Sequence, residues 1–161
     1  MLKRLALFAA IAILLASCGF KLRGMVDMPP WLKNVAIVVQ DAHKDLEPII
    51  KKQLQAYNIR VAASPVQSDY ILILEKDSLQ QQITGVGAST TPRQYLLVYT
   101  LQFSLLKNKE KPVISSNVIT ITRQLTVNND RILGSDFEES TINREMRKDA
   151  AMQLMGRLSR G

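Results

Sequence analysis

Apolar and polar residues alternate most regularly between Gln94 and Leu105. Tyr95, Leu97, Tyr99, Leu101, Phe103 and Leu105 fall on one side, and Gln94, Thr100, Gln102 and Ser104 on the other. A period of two over that length predicts a long antiparallel strand with one face in the core. The segment Val113–Val127 repeats the pattern, setting Ile119, Ile121 and Leu125 against Thr120, Thr122, Gln124 and Thr126. Asn108–Pro112 between the two segments reads as a hairpin turn. Upstream, Asp69 to about Ile83 opens as Tyr-Ile-Leu-Ile-Leu and turns polar at Glu75, and Gly85–Pro92 is rich in turn formers, a predicted loop. Val35–Gln40 is nearly all β-branched or apolar, the composition of a buried strand, and Ile59–Ala62 predicts a shorter one.

Two segments carry the helical period instead. Leu46, Ile49, Ile50, Leu54 and Tyr57 share one face, with Lys51, Lys52 and Gln55 opposite. Pro48 is compatible with a helix that starts near Asp45, which is then the expected N-cap, and Asn58 is the expected stop. Ile142, Met146, Ala150, Leu154 and Leu158 form a second stripe, predicting a final helix from Asp136, as its cap, to about Ser159. Glu138 and Glu139 are then expected in its first turn, where the helix dipole favours them. The element order β-α-β-β-β-β-α predicts an α+β two-layer sandwich. Two helices pack on one face of a mixed, mostly antiparallel sheet of four to five strands. The other sheet face is expected to be Thr/Gln-rich and nearly uncharged, suited to solvent or to a protein partner.

The N-terminus follows different rules. Lys3 and Arg4 precede Leu5–Ala16, an apolar run of twelve residues. Spanning a bilayer takes about 20, so the pattern is that of an export signal rather than a membrane span. Leu15-Ala16-Ser17-Cys18 resembles the bacterial lipobox, which implies acylation of the Cys18 thiol and cleavage ahead of it. The expected organisation is a signal peptide over 1–17, a lipidated tether over 18–34 and a single domain over 35–161. Gly19 rather than Asp after the cysteine points to the outer membrane.

Composition narrows the chemistry. The 161 residues include 21 Lys and Arg against 14 Asp and Glu, a net charge of +7. Loss of Lys3 and Arg4 with the signal peptide reduces that to +5. An exported, lipid-anchored basic domain meets anionic lipid or glycolipid rather than nucleic acid. One Cys and one His exclude a disulfide framework and the usual Cys/His zinc clusters. With Cys18 taken by lipid, a nucleophilic site would have to recruit His43, and no Gly-x-Ser-x-Gly elbow accompanies it. A periplasmic hydrolase built on His43 is therefore the third-ranked reading, and His43 itself reads as a solvated residue. Glu75 and Asp77, two apart on one strand, are expected to face the same side as a solvated strand end. Gly85-x-Gly87 lacks the third glycine and the helix of a dinucleotide loop. No metal constellation, catalytic residue or cofactor is expected. Cations gather near turns: Arg93, the Lys107, Lys109 and Lys111 cluster, Arg123 and Arg131. Guanidinium recognises phosphate bidentately, which singles out the arginines.

Cys18-Gly19-Phe20-Lys21-Leu22-Arg23-Gly24 resembles the start of mature proteins of the LptE family of lipopolysaccharide-assembly lipoproteins. Asp69-Tyr70, Arg93-Gln94-Tyr95, Thr122-Arg123 and the helix through Glu145, Ala150, Ala151, Leu154 and Leu158 stand in that family's order. The resemblance implies a non-enzymatic outer-membrane lipoprotein on the periplasmic side. It implies a 1:1 plug in the β-barrel LptD, whose assembly the protein aids together with lipopolysaccharide insertion. Arg93, Arg131 and Arg123 are the candidate lipopolysaccharide-binding residues. The alternative is a lipid-anchored adaptor or scaffold of another envelope assembly machine.

Overall fold

The computed structural model describes residues 26–86, 92–108, 110, 112–126 and 132–160. Five strands and two long helices follow in the expected order: β1 (Asn34–Asp41), α1 (Leu46–Ala56), β2 (Arg60–Ala62), β3 (Tyr70–Val86), β4 (Pro92–Lys107), β5 (Pro112–Thr126) and α2 (Ile132–Leu158). A 3₁₀ turn at Pro65–Gln67 joins β2 to β3. The strands form one sheet in the order β2-β1-β3-β4-β5. β1 is parallel to both of its neighbours, while β3, β4 and β5 run antiparallel as a meander. The fold is the α+β two-layer sandwich that the sequence pattern implies.

Packing follows the two periodicities. Leu97, Tyr99, Leu101, Phe103 and Leu105 of β4 are almost wholly buried, as are Leu46, Ile50 and Leu54 of α1 and Met146, Ala150, Leu154 and Leu158 of α2. All belong to a single core with Val35, Leu72, Leu74, Ile119, Ile121 and Leu125. Burying each large aliphatic side chain stabilises the domain by roughly 1.5–3 kcal/mol. Leu32 is buried too, and the Trp31 ring lies tilted against that of Tyr70 with centroids 4.9 Å apart, so the chain joins the core before β1 begins.

Asn58 ends α1 in the left-handed region, at φ 59°. The Ile59 amide then donates to Leu54 O at 3.0 Å and the Asn58 amide to Gln55 O at 3.0 Å, closing the helix in a Schellman arrangement. The start of α1 departs from expectation. Asp45 adopts helical angles and its carboxylate makes no capping bond. The Leu46 amide is satisfied by His43 O at 3.0 Å instead, leaving the Asp45 side chain to turn outward.

Two boundaries also move. α2 begins at Ile132, so Asp136 is an interior position rather than a cap, and its first turn contains no acidic residue. Glu138 and Glu139 therefore stand beyond the reach of the N-terminal dipole. A glycine such as Gly134 costs a helix only about 1 kcal/mol, too little to outweigh continuation of the helix. β3 likewise runs through Gly85, which pairs with Gln94; a Cβ there would stand 2.9 Å from Gln94 Oε1. Residues 87–91, the remainder of the expected loop up to β4, lie outside the described residues.

Candidate functional site

The sheet has two faces with different chemistry. Both helices cover the face that carries Leu74, Leu97, Leu101 and Ile119. On the opposite face, register places Ser78 beside Thr100 and Thr100 beside Thr120, with Thr122 beside Val98 and Gln124 beside Leu96. Hydroxyls bond across the strands there, Ser78 Oγ to Thr100 Oγ1 at 2.8 Å. Gln102 Nε2 donates to Ser116 Oγ at 2.7 Å, and Ser116 Oγ donates to Glu75 Oε2 at 2.6 Å. Hydrogen bonds from Ser116 and then Ser104 hold the Glu75 carboxyl below its ordinary pKa, with burial opposing them. The outer face of the meander is thus largely hydroxyl and amide, with Leu96 and Val98 among them and the Glu75 carboxylate and Lys76 as charges.

Glu75 and Asp77 do not share a side. The β3–β4 register slips between Leu74 and Lys76, and this bulge inserts an extra residue at Glu75. Asp77 consequently points to the helix side, where its Oδ2 accepts the Tyr99 hydroxyl and its Oδ1 accepts the His43 amide, each at 2.8 Å. Burial first, and then the Asp77 carboxylate, push the Tyr99 hydroxyl far above its usual pKa, so it remains a donor. His43 is half exposed; its Nδ1 accepts the Asp45 amide at 3.2 Å and stands 3.6 Å from Asp45 Oδ2. Arg147 of α2 reaches the same carboxylate at 3.8 Å. These groups tie the β1–α1 connection to β3 and α2, and account for His43 structurally. Asp45 and Arg147 also line an open cleft of about 400 Å³ with Ile49, Ser140, Asn143 and Arg144.

The candidate lipid-binding residues are placed unequally. Arg93 belongs by its backbone to the first residues of β4, but its side chain is outside what the structure describes, as are Arg131 and Cys18 altogether. Arg123 lies on β5 opposite Leu97, on the helix side of the sheet. Its guanidinium bonds Asp149 of α2, so this arginine already has an internal partner. Arg93 and Arg123 occupy the same end of the meander, about 14 Å apart along the strand direction at 3.4 Å per residue. Lys107, of the turn cluster, pairs with Glu110 at 2.9 Å, which raises its pKa; Lys109 and Lys111 are outside the described residues. Asp149, Asp77 and Tyr99 had no local signature in sequence, because each acquires its role from a residue more than 20 positions away. Among the described residues no group of three or more His, Cys, Asp or Glu is arranged to hold a metal ion, and no helix is long and apolar enough to cross a membrane.

Comparison with known proteins decides the family. The LptE family model, described as lipopolysaccharide-assembly, matches residues 32–158. The chain belongs to the LptE family. The LPS-assembly lipoprotein LptE of Pectobacterium atrosepticum is 26% identical over 94% of this chain and 83% of its own length. The protein of the same name from Yersinia enterocolitica is 28% identical over 96% of this chain and 74% of its own. Among solved structures, an uncharacterized lipoprotein B from Nitrosomonas europaea has a TM-score of 0.71 at 24% identity, covering 88% of this chain and 90% of that one. The rare lipoprotein B from Shewanella oneidensis reaches 0.67 at 19% identity, covering 78% and 93%. These structures share the LptE-like fold, and the family's names describe assembly, a non-enzymatic role.

Proposed function

We propose that the mature chain is an outer-membrane lipoprotein, anchored through acyl chains on Cys18, which plugs an LptD-type β-barrel and aids its assembly and the insertion of lipopolysaccharide. The observation that carries this reading is the outer face of β3, β4 and β5. A barrel lumen is polar, and a largely hydroxyl- and amide-bearing sheet face, its Glu75 carboxylate held by the Ser116 hydroxyl, suits such a wall better than an apolar face would. Family membership supports the same role, since its named relatives are LPS-assembly lipoproteins. Each buried acyl CH₂ contributes about 0.8 kcal/mol to membrane affinity, so several chains hold a domain that one chain would release. Arg93 and Arg131 are the residues proposed to meet lipid A phosphates, while Arg123 is engaged by Asp149.

A mild-detergent pull-down of the tagged lipoprotein from outer membranes tests the proposal. One large β-barrel at equal stoichiometry is the expected result. Recovery with soluble proteins alone would favour an adaptor of another envelope machine. Cys18→Ser tests the anchor: the variant is expected in the soluble fraction or as uncleaved precursor, and an unchanged mature mass would refute lipidation.

A further inference from the structure

The two edges of the sheet are built differently. β2 is three residues long, begins with the exposed Arg60 and is followed at once by the Pro65–Gln67 turn, a short edge of the kind that resists pairing. β5 is fifteen residues long, and among the described residues no strand lies beside its outer edge. Its sequence after Pro112, Val-Ile-Ser-Ser-Asn-Val-Ile-Thr-Ile-Thr-Arg-Gln-Leu-Thr, has no lysine, no further proline and one charge, Arg123, which Asp149 neutralises. From Asn117 to Thr126 this edge pairs with β4 in unbroken register, and its strongly β-prone residues offer a row of unpaired amides and carbonyls to an extended chain.

A groove runs alongside that edge. Ile121 and Arg123 of β5 and Asp149, Met152 and Gln153 of α2 line a space of about 380 Å³. Met152 is 52% exposed at its mouth, and Val118 is 52% exposed on the other face of the same edge. A strand laid beside β5 would direct alternate side chains into this groove and the remainder over the hydroxyl ladder. Backbone bonds would supply affinity, and the groove between edge strand and helix would select side chains.

We infer that β5 is a strand-addition site, and that its occupant is an extended, uncharged segment of a partner polypeptide. The side chains of that segment toward Met152 are apolar, and those beside Thr120 and Thr122 are polar. An extended backbone matches the spacing of that row of peptide groups, and the paired Arg123 and Asp149 leave no net charge in the groove lining to attract an ionic segment. A second copy of this chain fits poorly. In a β5–β5 pair the incoming strand would carry its own α2 above it, and the groove has room for side chains but not for a helix of about 10 Å diameter. The inference goes beyond the barrel proposal and does not depend on it.

The test places the photocrosslinker p-benzoylphenylalanine at position 152 or 118 of the full chain in its native envelope, with attachment points read by mass spectrometry. Both positions are expected to mark one short segment of the same polypeptide, at residues of opposite parity. Amide exchange of residues 118–126 is expected to slow at least tenfold in the isolated complex relative to the free chain. Met152→Lys combined with Val118→Lys, two half-exposed positions that tolerate charge, is expected to reduce retained partner at least tenfold. Attachment to scattered segments, attachment to β5 of a second copy, or unaltered exchange of β5 together with absent crosslinks would overturn the inference. Attachment to one segment of a protein that is not a barrel would uphold strand addition while removing the barrel reading.

Discussion

Asp77 and Tyr99 meet across the β3–β4 pair, the carboxylate accepting the phenol hydroxyl at 2.8 Å beneath the start of α1. Tyr99 is 2% exposed, so this bond lies at the margin of the core and fixes the direction in which Asp77 points. The His43 amide shares the same carboxylate. Tyr99→Phe keeps the ring and removes one donor, leaving a partly buried carboxylate short of a partner. A loss of about 1–3 kcal/mol is expected, the usual cost of such a group. Urea denaturation checks it, and an unchanged midpoint would show that water replaces the hydroxyl without penalty.

Glu75 makes stability depend on pH. Its folded pKa is depressed below the ordinary 4.5 by the hydrogen bonds from Ser116 and Ser104. A depressed acid stabilises the fold above its unfolded pKa, and the effect is lost as pH falls through the folded value. Wild type should therefore melt above Glu75→Gln near neutral pH, with the gap closing on acidification below about 4.5. A gap that stays constant with pH would assign the effect to packing.

Arg123 and Asp149 link the edge strand to α2. The pair is half exposed on the arginine side, so its contribution to stability should be small, about 0.2–1 kcal/mol in a double-mutant cycle with Arg123→Ala and Asp149→Ala. Strict additivity of the two variants would show that the contact contributes nothing in solution.

Arg93→Glu and Arg131→Glu should weaken lipopolysaccharide binding while leaving the melting temperature unchanged, since a reversed charge repels lipid A phosphates. Titration with purified lipopolysaccharide reads the affinity, with a loss of about tenfold, or roughly 1.4 kcal/mol, expected from each lost guanidinium contact. Unaltered affinity in both variants would return them to ordinary surface residues.

Sequence by itself determined the order of the strands and helices and most of the apolar residues that they bury. The period-two run from Tyr95 to Leu105 and the four-residue stripe from Ile142 to Leu158 are local patterns, and burial of an apolar face follows from them wherever the segment packs. The signal-like N-terminus and the family-like start at Cys18 are equally matters of adjacent residues.

Tertiary structure alone decided the relationships between segments. That β1 lies between β2 and β3, and that β5 is left at an edge, depend on which strands pair. The slip at Glu75 turns two carboxylates expected on one side to opposite faces, because a single extra residue reverses every side chain beyond it. Arg123 reads as a free cation until α2 brings Asp149 to it, 26 residues later in the chain. Periodicity measures how a residue relates to its neighbours in sequence. Pairing, register and charge neutralisation are energies between residues far apart in the chain, and no local pattern encodes them.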